Sequence, residues 1–276
     1  MDQVMHDIRN VFNHELEVRL SEPFIKIAET ICDTSSVKAQ CETPNGKNKL
    51  TMLAKPLEKN VSQHLEMRAG DLLGIESSLE QLGWDALSAN NVWAFGPQDA
   101  GTNVLVDYSL DFEMDKPKVG MVKNSIVQGF KWATREGPLS DEPMKNVSFH
   151  FLGGLFADEP IYRGGGQIIP TSRRVCYSSF LLGNPRIMEP VNKAEILCPY
   201  DCMEVIQGIL FKRRAHITHE EPKAGTPHHC VHVEIPVLES FGFETDIRTQ
   251  TMGQAMVLQQ FDHWAVSPGD PLDKNI

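Results

Sequence analysis

The chain has 276 residues, 41% hydrophobic and 23% charged, which is enough to bury real cores in two domains. Its 37 acidic and 26 basic residues leave a net charge of −11, which excludes diffuse, sequence-independent nucleic-acid binding, so any RNA contact has to be local. No stretch approaches the roughly 20 apolar residues that span a bilayer, and MDQVMHDIRN lacks the apolar core of a secretory signal; an intracellular chain with no membrane partner is expected.

Val4, Ile8, Val11 and Phe12 recur at helical spacing, and LEVRL, Leu16 to Leu20, alternates as a strand does. Pro23 opens an extended run, FIKIAETICDTSS, whose expected hairpin partner is LTMLAKPL across TPNGKNK, where the Asn45-Gly46 pair is a strong turn signal. Residues 58 to 92 hold helix formers of weak periodicity interrupted by Gly70, Gly74 and Gly83, so short helices are expected, with Trp84 and Trp93 in the core rather than offered as stacking platforms. NVLVDYS reads as a strand after the turn FGPQDAG. Met121 to Thr134 reads as a helix with Ile126, Val127, Phe130 and Ala133 on one side, closed by EGPLSDEP, and NVSFHFLGGLFA alternates as a further strand.

That strand leads into Glu159 to Ser179, EPIYRGGGQIIPTSRRVCYSS. Gly164, Gly165 and Gly166 can take positive φ at low cost, which lets a loop turn sharply and aim several N–H groups at an anion. Pro170 suits the first position of a helix that Val175, Cys176, Ser179, Phe180 and Leu182 continue. Arg173 and Arg174 would then lie near the first turn, where the helix dipole disfavours cations by up to roughly 1 kcal/mol. Either a phosphate or acidic partner meets them, or an internal carboxylate such as Asp158 or Glu159 does, and the spacing leaves both open.

Beyond Pro190 the order is strand (NKAEILCP), helix (MEVIQGILFKRRA), strand (HITHEE), strand (HCVHVEIPV), helix (about Ser240 to Ala255) and strand (MVLQQFDHWAV), which is the βαββαβ order of a ferredoxin-like domain. Lys212, Arg213 and Arg214 form a second basic group, a possible secondary contact or a solvated helix end. Six scattered cysteines are expected to be reduced thiols. Cys198, Cys202, His216, His219, His228, His229, Cys230 and His232 contain no CxxC pair, and no metal site is expected; in HHCVHVEIPV, alternation places Val231, Val233 and Ile235 in the core. No GxxxxGK[ST] loop occurs, since NGKNK lacks the upstream glycine and the Ser or Thr after Lys47, and neither GxSxG nor HExxH is present. Neither GTP hydrolysis nor other catalysis, and no small-molecule substrate, is expected of the chain.

DTSSVKAQCETPNGKNKLTMLAKPLEKN, GWDALSANNVWAFGP, SIVQGFKWATREGPLSDEP, RGGGQIIPTSRR, and SFGFETDIRTQTMGQA with FDHWAVSPGDPLDK resemble, in family order, segments of the translocase GTPases of the elongation factor G and eukaryotic elongation factor two type. REGPLSDEP, FETDIRTQT and ETPNGKNK are most similar to the spliceosomal branch, the U5 small nuclear ribonucleoprotein GTPases. The resemblance implies an α+β chain: a remnant of domain III over residues 1–20, a ribosomal protein S5 domain 2-like domain IV over 21–187, a ferredoxin-like domain V over 188–268, and a truncated extension over 269–276. It implies a tip loop at Tyr162, Arg163, Gly164, Gly165, Gly166 and Gln167, with Arg173 and Arg174, that meets a partner or RNA. It implies a nuclear location and, as partners, the large U5 scaffold protein, the U5 helicase and U5 RNA, with GTP and magnesium held only in a G domain outside this sequence. The alternatives are the corresponding arm of a translation elongation factor, or a stand-alone interaction protein that lost its motor. Tyr162 departs from the pattern, since translation factors carry there the histidine that becomes diphthamide; residues from about Asn60 to Gly83 match poorly as well. The chain reads as a fragment, a truncated gene model or a shortened paralogue.

Overall fold

A computed structural model describes residues 2–11, 21, 23–68, 75–99, 101–109 and 116–273. The first helix, α1 (Asp2–Val11), forms where the Val4, Ile8, Val11 spacing predicts it; the strand expected at Leu16 to Leu20 lies outside the described residues.

The next strand, β1 (Ala28–Ile31), corrects an expectation. It pairs antiparallel with the later strand β7 (Pro185–Pro199), not with LTMLAKPL. All four of its residues are buried, so it carries no alternation to show which sheet it joins. The hairpin across Asn45-Gly46 does form, between β2 (Ala39–Glu42) and β3 (Lys49–Pro56), with Gly46 at φ +67°. β1 also anchors the EGPLSDEP loop, because the buried Glu29 carboxylate accepts the backbone N–H groups of Leu139 (3.0 Å) and Ser140 (2.7 Å). Burial raises the pKa of that carboxylate against the pull of these hydrogen bonds.

Short helices α2 (Lys59–Arg68), α3 (Ile75–Gln81) and α4 (Ala86–Asn90) follow, then β4 (Val92–Gly96), a strand that the sequence reading missed, β5 (Asn103–Asp107), the long helix α5 (Lys116–Arg135) and β6 (Val147–Leu155). These strands make one sheet in the order β2-β3-β6-β5-β4. β5 and β6 run parallel, as the α5 crossover between them requires. Leu50, Met52 and Ala54 of β3 and Val147, Phe149 and Phe151 of β6 face α5 and α6 (Gly165–Leu181) in the main core, while Val104 and Val106 of β5 face the opposite side and pack with Val61, Leu65 and Leu79. Trp84 joins this second cluster and Trp93 packs on Phe151 at 5.2 Å, both in the core as predicted. Helices α5 and α6 cross so closely that a Cβ on Gly129 would stand 2.5 Å from that of Ser172, whose hydroxyl donates to the Ile126 carbonyl (3.0 Å).

After β7 come α7 (Met203–Lys212), β8 (His216–Pro222), β9 (His228–Pro236), the short α8 (Val237–Ser240), α9 (Phe243–Gln250) and β10 (Met256–Val266). β9 lies between β7 and β8, and β10 pairs with the other side of β7, which is the ferredoxin-like arrangement. The single helix expected from Ser240 to Ala255 is divided by Gly242 at φ +73°. Ile196, Val231, Val233 and Ile235 pack beneath Ile206, Leu210, Phe243 and Ile247 in a separate core. The chain is α+β throughout, and β7 runs unbroken through residues 186–190.

Candidate functional site

The tip is assembled where β6 ends. Residues 156–159 leave the sheet, Pro160–Arg163 form a single 3-10 turn, and α6 starts at Gly165. This corrects the reading of the glycines. Gly164 caps the helix in an extended conformation (φ −62°, ψ 156°), and none of the three takes positive φ. Gln167 and Ile168 donate back to the Gly164 carbonyl at 2.9 and 3.2 Å, so the helix begins on the glycines instead of after them. Pro170 therefore lies inside α6, where it has no N–H to give the Gly166 carbonyl one turn back. Arg173 and Arg174 fall in mid-helix, outside the first turn, and the dipole argument for an anion beside them does not apply.

The β2–β3 hairpin turn holds the tip from below. The Asn45 and Asn48 side-chain amides both donate to the Tyr162 carbonyl, at 2.9 and 2.8 Å, and the Asn48 amide oxygen accepts the Ala157 N–H at 3.0 Å. Lys47 lies over the Tyr162 ring. Arg163 turns inward, its guanidinium donating to the Ala157 carbonyl (3.2 Å) and to the Met121 sulfur (2.9 Å). Asp158 accepts Lys118 at 2.6 Å, which lowers its pKa. Gln167 is half-buried, with its side-chain oxygen enclosed. What faces outward is Ile161, 79% exposed, beside the exposed Gly164 and Gly166. Sequence reasoning missed Asn45, Lys47, Asn48 and Ile161. The NGKNK wording carried the signal for the first three, but as a turn and not as a tip support.

The two arginines have different environments. Arg173 stacks 4.2 Å over Trp132, donates to the Tyr177 hydroxyl (2.9 Å) and pairs with Glu136 (3.2 Å). The Glu136 carboxyl is held below its usual range, chiefly by the Trp132 indole N–H and then by Arg135. Arg174 is exposed and has no side-chain partner among the described residues. In the second basic group, Arg213 pairs with Asp246 (2.5 Å), and Arg214 grips Glu189 with two bonds of 3.1 Å. Lys212 is exposed. Of the two sets, the structure turns Arg174 and Lys212 outward and engages Arg163, Arg173, Arg213 and Arg214 internally.

This geometry supports contact more than chemistry. NGKNK, the sequence's nearest approach to a phosphate-binding loop, closes a β-hairpin rather than a strand-to-helix turn, and its Lys47 is engaged with Tyr162.

The sequence matches "Elongation factor G, domain IV" over residues 75–184 and "Elongation factor G C-terminus" over residues 186–275, so the two matches meet at the start of β7. The chain belongs to the elongation factor G family, of which it carries domain IV and the C-terminal domain. It is 47% identical over 284 residues to the 110 kDa U5 small nuclear ribonucleoprotein component CLO of Arabidopsis thaliana and likewise to the 109 kDa component GFL of the same plant. It is also 47% identical over 281 residues to the pre-mRNA-splicing factor cwf10 of Schizosaccharomyces pombe. Each alignment takes in 100% of this chain but only 28 or 29% of the relative, so the chain spans less than a third of the length of these relatives.

Proposed function

We propose that this chain acts in pre-mRNA splicing as the domain IV and domain V arm of a translocase-like GTPase of the U5 small nuclear ribonucleoprotein. The observation that carries this reading is the identity of 47% over the whole chain to named U5 and splicing components. The arm works in the nucleus through contacts with U5 RNA and with the large U5 scaffold protein and helicase, and it catalyses nothing itself. GTP and magnesium belong to a G domain, whose nucleotide state moves the arm as a rigid body and so changes which contacts form. A net charge of −11 fits a partner surface that is mostly protein, with RNA contact confined to outward cations such as Arg174.

The tip is built for this role. Two asparagines and a lysine brace the 3-10 turn from the hairpin, so Ile161 and the glycine-capped start of α6 are presented without an ordering cost at the moment of contact. Gradient sedimentation of tagged chain in nuclear extract tests the reading. Migration with particles that contain U5 RNA is expected, and migration with ribosomal subunits or as free protein contradicts it.

A further inference from the structure

The β8–β9 ribbon carries a group of side chains that the proposed function does not use. Glu221 and Cys230 are directly opposed across the two strands, as are His219 and His232. Alternation puts all four on the face away from the core, because the intervening Val231 and Val233 are fully buried. The Cys230 sulfur lies 3.8 Å from His232 Nε2, which in turn lies 3.8 Å from the Glu221 carboxylate. Candidate ligand atoms of Glu221, Cys230 and His232 all fall within 4.8 Å of one another. His219 Nε2 stands 3.7 Å from the other Glu221 oxygen, with its ring stacked on His232.

We propose that Cys230, His232 and Glu221, completed by His219, form a binding site for a divalent transition metal of the zinc type. A tetrahedral zinc site with bonds of about 2.0 to 2.3 Å has ligand-to-ligand edges of roughly 3.3 to 3.6 Å, so the two 3.8 Å spacings to His232 have to close by only a few tenths of an ångström. Glu221 and Cys230, within 4.8 Å, close by up to about 1 Å, and the exposed His219, outside that set, swings in as the fourth ligand. One thiolate with imidazole and a carboxylate selects zinc or cobalt over magnesium or calcium, which take all-oxygen shells. A supporting carboxylate is in place as well. His232 Nδ1 is enclosed without a hydrogen-bond partner and faces Glu195 of β7 at 3.6 Å. A metal on Nε2 fixes the proton on Nδ1, which then donates to Glu195 in the carboxylate–histidine–metal arrangement that orients such ligands.

The site has a structural use. β8 is an edge strand in which every residue is exposed, and it contributes nothing to the domain core. A metal bridging Glu221 and His219 to Cys230 and His232 would cross-link this edge to the buried β9. Local spacing did not reveal the set, because the cross-strand register assembles it from two strands.

The test is to titrate the reduced full chain with Co²⁺, then compete with Zn²⁺. A 1:1 complex is expected, with a thiolate-to-cobalt charge-transfer band and tetrahedral d–d bands that zinc abolishes. Cys230→Ser should remove the charge-transfer band, Cys32→Ser should keep it, and Glu195→Gln should weaken zinc binding about 10- to 100-fold. Glu221→Ala, at an exposed position, should weaken binding at least tenfold and serves if Cys230→Ser fails to fold. No charge-transfer band, or a band that survives Cys230→Ser, overturns the proposal.

Discussion

The Lys47 ammonium sits 3.3 Å from the centroid of the Tyr162 ring. The two residues belong to different segments, the β2–β3 turn and the tip, so the tip is a two-piece structure. With Asn45 and Asn48 on the Tyr162 carbonyl, the hairpin supports both the backbone and the ring of the residue that departs from the translation-factor pattern.

Asn48 should matter most for tip stability. It is buried and bonds Tyr162 and Ala157 together, so Asn48→Ala leaves the Ala157 N–H without its partner and the Tyr162 carbonyl with Asn45 alone, and should cost about 1 to 3 kcal/mol. Lys47→Ala should cost about 0.5 to 1 kcal/mol, the scale of a cation–π contact at an exposed site. Denaturant melts check the ranking, and equal effects would show that Asn48 does not organise the tip.

Arg173 and Arg174 should separate cleanly. Arg173→Ala loses its ring stack and its bonds to Tyr177 and Glu136, for an expected loss of about 1 to 2 kcal/mol. Arg174→Ala should shift stability by less than about 0.5 kcal/mol while lowering recovery of partner particles and its salt dependence. Thermal melts beside salt-titrated pull-downs measure both, and a destabilised Arg174→Ala would contradict the assignment.

Burial, reinforced by Lys55, pushes the His150 imidazole down to about 4 from its ordinary 6.5. The unfolded chain therefore takes up this proton near pH 6.5 and the folded one only near pH 4. The stability it contributes is intact above about pH 6.5 and is lost as pH falls to about 4, by up to about 3 kcal/mol. Glu29, whose pKa is raised by burial, acts in the opposite sense as it protonates on acidification. Comparing the chain with His150→Gln isolates the histidine, since Glu29 is common to both. The variant should show a flatter stability profile between pH 6.5 and 4, and an unchanged slope would contradict the assignment.

The strand and helix pattern of the C-terminal half was legible because its apolar residues alternate on one face and its helices carry period 3.6, as Val231, Val233 and Ile235 illustrate. The pairing of β1 was not, because a strand buried on every residue has no polar face to mark its register. The tip was legible as a location but not as a geometry. Three glycines permit positive φ without requiring it, and the turn that precedes them is held by Asn45 and Asn48, more than 110 residues away in sequence. Arg173 was equally illegible, since Trp132 reaches it from α5 and Glu136 from the residue that follows that helix.

The separate cores on either side of β7 lead to a further expectation, that residues 188–268 fold alone. The cut removes the first three residues of β7 and the β1 pairing, and keeps its pairing with β9 and with β10. A dispersed heteronuclear spectrum is expected from this fragment, and a collapsed one would show that β1 is part of the second folding unit.

The central claim, that this arm serves splicing and not translation, is tested most directly by sequencing the RNA recovered with tagged chain from nuclear extract. U5 RNA enriched well above ribosomal RNA, with the enrichment reduced by Arg174→Ala, is the result expected. Enrichment of ribosomal RNA without U5 RNA, or of neither, would contradict it.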